Sequence, residues 1–140
     1  NHSASTYQQI IAVNVPETPR VFSNPRQSSV GGVRSKYLVT VRMDIPSDLD
    51  DEFVQWHKEE HIPMTLKVKD VVNARLCRKH GAHPVTPSRD PRWISIYEMN
   101  SLDALEDPQI TAANETDWAR QMHSKTSDVR LNIMERIFPE

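Results

Sequence analysis

The stretch Asp50-Asp51-Glu52-Phe53-Val54-Gln55-Trp56-His57-Lys58-Glu59-Glu60-His61-Ile62-Pro63 decides how the chain is read. Its spacing predicts an amphipathic helix. Ser47 and Asp48 can cap it, and Asp50, Asp51 and Glu52 put negative charge where a first turn leaves N–H groups unpaired. At 100° per residue, Leu49, Phe53, Trp56, Met64 and Val68 share one side, while Asp51, Gln55, Lys58, Glu59 and Ile62 fall mostly on the other. His57, Glu60 and His61 lie on or beside the apolar side, where a helix built only for packing would carry aliphatic residues. Pro63 has no N–H and disfavours helix at Ile62, so the helix should end, kink or restart there.

Around this helix the sequence alternates with period two. Tyr37–Met43, Val71–Arg78, Trp93–Met99 and Val129–Phe138 read as strands. Ser101–Leu105 starts a second helical region, which Pro108 interrupts and Gln109–Met122 resumes. The order β-α-β-β-α-β over residues 36–138 predicts an α+β, ferredoxin-like split β-α-β fold. Its four-stranded antiparallel sheet should carry the helices on one face. All four strands have apolar or large residues on both sides, such as Leu38, Ile94, Ile96, Met134 and Phe138 on the second one. A second copy is the simplest cover for that face, so a homodimer through the sheet face is expected. Residues 1–35, with three prolines and a Ser/Gly-rich end, form an arm preceding a domain at 36–140. Within the arm, Gln8–Val15 could add a strand to a sheet edge.

Composition sets further bounds. A net charge of -2 gives no general case for nucleic acid, and no apolar run approaches the about 20 residues of a membrane span. The single cysteine, Cys77, excludes an internal disulfide, and a reduced cytoplasmic setting is the default expectation. Glycine fingerprints for phosphates or dinucleotides are absent.

The run Phe53-(x)2-Trp56-(x)4-His61-Ile62-Pro63, followed by a strand of Val72-Asn73-Ala74-Arg75 type and later by Tyr97-Glu98-Met99 with Ser101-Leu102, resembles the EthD-like branch of the dimeric α+β barrel superfamily. His57 stands where that family usually has Tyr, and Asp70 or Val71 where it often has Gly. The resemblance covers residues 36–138 and implies a dimeric α+β barrel with an apolar pocket between helices and sheet in each subunit. Relatives in the wider superfamily include cyclases, decarboxylases, cofactor-free monooxygenases and isomerases.

On that basis His61 is the first candidate for a general acid/base acting without a cofactor, on a small apolar, aromatic or polyketide-like molecule. His57 would orient it or act as a polar lid. Trp56, Tyr97 and Trp118 would line the pocket, with Tyr97 donating a hydrogen bond, and Arg42 or Arg75 would hold a carboxylate. The chemistry expected is of lyase, cyclase or isomerase type. A non-catalytic ligand-binding or assembly protein is the competing reading. A metal-dependent hydrolase through His57, Glu60 and His61 is a weaker third, so no metal is assigned.

Overall fold

The computed structural model describes residues 6–14, 35–81 and 89–140. The four expected strands are β2 (Tyr37–Asp44), β3 (Val71–Gly81), β4 (Trp93–Met99) and β5 (Ser127–Glu135). The sheet has five strands rather than four, because β1 (Thr6–Asn14) pairs antiparallel with β3. Its order is β1-β3-β4-β2-β5, antiparallel at every joint. The split β-α-β connectivity is therefore present, with an added edge strand from the N-terminal segment. Val15, the end of the expected arm strand, lies outside the described residues.

Between β2 and β3 run α1 (Asp50–Trp56), a π turn (His57–His61) and α2 (Ile62–Thr65). Between β4 and β5 lie a 3-10 turn (Leu102–Glu106), α3 (Pro108–Asn114) and α4 (Asp117–Lys125). Pro108 opens α3 instead of only interrupting a helix, since the first helical position needs no N–H. Asp107 caps α3 and Thr116 caps α4, each side chain accepting a backbone N–H two or three residues on.

Neither Ser47 nor Asp48 caps α1; residues Ser47–Leu49 form a 3-10 turn. Asp50 anchors this end instead. Its carboxylate takes both arms of the Arg92 guanidinium at 2.9 and 3.0 Å, and Arg92 also donates to the Ile45 carbonyl at 2.6 Å. This paired geometry holds the Asp50 carboxyl below its usual pKa. It ties the start of α1 to the start of β4.

The π turn corrects the wheel. Ile62 N–H bonds back five residues to the His57 carbonyl, which inserts one residue into the helical phase. Ile62, expected on the polar side, is fully buried, as is Thr65; Met64 is only partly so. The inward sequence becomes Phe53, Trp56, His57, His61, Ile62, Thr65 and Val68. Glu60 leaves the core and accepts hydrogen bonds from Trp56 Nε1 at 3.1 Å and Thr116 Oγ1 at 2.5 Å. A carboxylate thus joins the first helical region to the cap of α4.

Strand parity places Val39, Val41, Met43, Ala74, Leu76, Trp93, Ser95, Tyr97 and Met99 toward the helices, in rows set by the register Val39↔Tyr97↔Ala74 and Val41↔Ser95↔Leu76. On the opposite face, Thr40, Cys77, Ile94 and Glu98 are buried within the single chain. Of the residues expected to lie bare there, Ile94 is buried and Leu38 and Ile96 are half-buried, while Met134 of β5 and Phe138 after it are exposed. Val129 and Leu131 are each 57% exposed and Phe138 is 85% exposed.

Asp70, just before β3, adopts φ 73°, in the left-handed region that costs most residues about 1 kcal/mol. Asp70→Gly should raise the unfolding free energy by about 0.5–1 kcal/mol in urea denaturation. An unchanged or lower value would show that no strain resides there.

Candidate functional site

A cavity of about 260 Å³ lies between the helices and the sheet, walled by Val39, Val41 and Met43 of β2, Ser95 and Tyr97 of β4, and Trp56, His57 and His61. Ile110, Asn114, His123, Val129 and Leu131 reach its edge. None of its described lining residues is Asp, Glu, Lys or Arg. It is an apolar hollow holding a few imidazoles and hydroxyls.

His57 is 1% exposed. Its Nδ1 sits 2.9 Å from the Phe53 carbonyl, which can only accept, so Nδ1 carries the proton. Nε2 is then a lone pair and accepts from the Ser95 hydroxyl at 3.1 Å. Burial, with the neighbouring His61, drives the His57 pKa down to about 3. His57 is a neutral, fully bonded side chain, and its edge packs on the Phe53 and Trp56 rings.

His61 is 8% exposed and stacks on Trp56 with ring centres 4.5 Å apart. Its Nδ1 donates to the Ala113 carbonyl of α3 at 3.3 Å. The imidazole is therefore bonded to backbone from a different element. Thr65 Oγ1 donates to the His61 carbonyl at 2.7 Å. Burial lowers the His61 pKa to about 4, so it too is neutral at physiological pH. Among the described residues its Nε2 has no hydrogen-bond partner, which leaves a lone pair on a residue that lines the cavity.

Tyr97 is buried, its pKa pushed up to about 12 by desolvation, with the Ser95 hydroxyl beside it. Its ring stands edge-on to His61 at 6.4 Å. The site thus brings together His57, His61, Tyr97 and Trp56. It does not bring Arg42, Arg75 or Trp118.

Arg42 and Arg75 fall on the other parity of β2 and β3, so their side chains leave the sheet on the face away from the cavity. Arg75 pairs there with the buried Glu98 at 2.6 Å, and Glu98 also accepts from Ser35 at 2.9 Å. Arg42 lies against the Tyr7 phenol on that face. Neither can hold a ligand carboxylate in this cavity. Trp118 is half-buried against the core, with Nε1 donating to Glu52 at 3.1 Å, and does not line the cavity.

The metal arrangement through His57, Glu60 and His61 does not assemble. Both His57 nitrogens are taken, and the Glu60 carboxylate turns to Trp56 and Thr116. Among the described residues, no three His, Cys, Asp or Glu side chains converge as a metal ion would need.

Sequence reasoning missed Ser95 and His123. Ser95 is two residues before Tyr97 on the same strand face, a signal available in principle. His123 meets the edge of Trp56 at 5.5 Å, and its Nε2 donates to Asn114 Oδ1 at 3.0 Å. Nothing in the sequence places that exposed residue of α4 at the cavity mouth.

No protein-family model matches the chain, and no curated protein matches it. A crystal structure of an ethyl tert-butyl ether D (EthD) family protein from Bacillus halodurans C-125 does, at 17% identity and a TM-score of 0.46, covering 73% of this chain and 99% of that one. The chain is structurally similar to an EthD family protein. A provisionally assigned monooxygenase from Fusobacterium nucleatum subsp. nucleatum ATCC 25586 matches at 10% identity and a TM-score of 0.47; 96% of this chain is covered, but only 52% of that one. No helix among the described residues is long and apolar enough to cross a membrane.

Proposed function

We propose that this EthD-like protein binds a small, flat, largely apolar molecule between its helices and sheet, and carries out cofactor-independent acid–base chemistry on it. The reaction would be of lyase, cyclase or isomerase type, with His61 as the general acid/base. One observation carries the reading: a neutral imidazole, fixed through Nδ1 to a backbone carbonyl, presents a lone pair at the wall of an apolar cavity of about 260 Å³. Trp56 supplies a flat surface on which that ring is held, and Tyr97 a phenol across from it.

A second reading has its own support. A histidine whose burial holds its pKa near 4 is a poor proton acceptor, which suits a protein that binds without turnover. Proton exchange separates the two. Purified protein in D2O, with no added cofactor, should accelerate loss of the α-hydrogens of 2-tetralone, followed by NMR. His61→Ala should lower that acceleration by about 100-fold or more. Equal rates in both proteins would remove His61 from the role, and no acceleration by the native chain would favour the binding protein.

We also propose that two copies associate as a homodimer. The exposed apolar side chains of β5, an edge strand, support this. Light scattering on the eluting protein should give about twice the 16.1 kDa chain mass. A 16.1 kDa particle at every concentration would reject the dimer.

A further inference from the structure

We infer that the cavity selects an uncharged molecule that donates a hydroxyl hydrogen bond to His61 Nε2. A phenol or an enol is the chemical class described. This rests on the reading that the cavity binds a small molecule, and it adds the charge and hydrogen-bond sense of that molecule.

The inference follows from where the cavity's protons go. The Trp56 indole N–H is given to Glu60 and the Thr65 hydroxyl to the His61 carbonyl. Both imidazole N–H groups are given to carbonyls, of Phe53 and Ala113. The Ser95 hydroxyl has one proton, and His57 Nε2 takes it. Ser95 can therefore only accept from Tyr97, which lies beside it. Among the buried described side chains lining the cavity, every polar proton is then committed, that of Tyr97 to Ser95. The open acceptor is His61 Nε2.

A ligand offering only acceptors would leave that lone pair unmatched in an apolar setting, which is costly. A carboxylate would be worse. It would face the His61 lone pair with no described cationic side chain lining the cavity, because Arg42 and Arg75 leave the sheet on its other side. An ammonium would likewise find no carboxylate.

The test is calorimetric titration of the full chain at pH 7 with 2-naphthol, 2-methoxynaphthalene and 2-naphthoate. Naphthol should bind with a Kd at least about tenfold lower than its methyl ether, and naphthoate should not saturate. In His61→Leu, with folding checked by circular dichroism, naphthol and ether should bind within about twofold of each other. In Ser95→Ala, which frees His57 Nε2 as a second acceptor, the preference for naphthol should persist. Equal binding of naphthol and ether by the native chain, saturable binding of naphthoate, or no naphthol binding up to its solubility would overturn the inference. The proton-exchange result is independent. Selectivity without exchange would leave this inference standing and remove the catalytic reading. Exchange without selectivity would do the reverse.

Discussion

The site depends on one extra residue in a helix. Where Ile62 N–H reaches back to the His57 carbonyl instead of to Lys58, every later side chain arrives one position out of phase. An unbroken α-helix would have turned Glu60 inward with His61 and left Ile62 facing water. Pro63, which has no N–H to give, stands immediately after the turn and makes a regular ladder there unavailable in any case. The displaced phase keeps His61 over the cavity, sends Ile62 and Thr65 into the core, and swings Glu60 out to the cap of α4. A glutamate left inside would have required a cation, and none of the described lining residues is one.

The second constraint is the sense of a hydrogen-bond chain. A backbone carbonyl can only accept, so the Phe53 oxygen fixes the proton of His57 on Nδ1, and that choice passes through Nε2 to the hydroxyl of Ser95. The Ala113 oxygen does the same for His61 in a single step. Desolvation enforces both arrangements, since a charged imidazole among Phe53, Trp56 and the sheet would lose its hydration, and at His61 this outweighs the pull of the Glu60 carboxylate. Two buried histidines can therefore be neighbours, with ring centres 5.4 Å apart, without repelling each other. Dynamics follow from the same contacts: His61 is held by α3 on one side and by Trp56 on the other, so its free nitrogen is aimed by packing and not by a mobile loop.

Much of the fold was legible because strands announce themselves by alternation. The parity that put Val39, Val41 and Met43 on one face also carried the correction to Arg42, which lies between two of them; the signal was present, and a ligand role for Arg42 contradicted it. The same holds for Arg75 between Ala74 and Leu76. What a sequence wheel cannot carry is a change of helical period, so the phase after His57, and with it Ile62 and Met64, was misread. The added strand β1 was readable as a strand but not as a pairing, since its edge partner is far along the chain. His123 and Asn114 reach the cavity mouth through the relative placement of α3 and α4, a tertiary relation that no local spacing encodes.

The central claim is that both buried histidines are neutral and protonated on Nδ1, leaving His61 Nε2 as an open lone pair. Long-range 1H–15N correlation spectra of the imidazoles would read this directly. Between pH 8 and about 5, the account predicts Nδ1–H tautomers for His57 and His61. Neither should titrate near the ordinary histidine value of about 6.5, because native-state values of about 3 and about 4 place protonation well below it. An Nε2–H tautomer at His61, or either ring charging near pH 6.5, would contradict it.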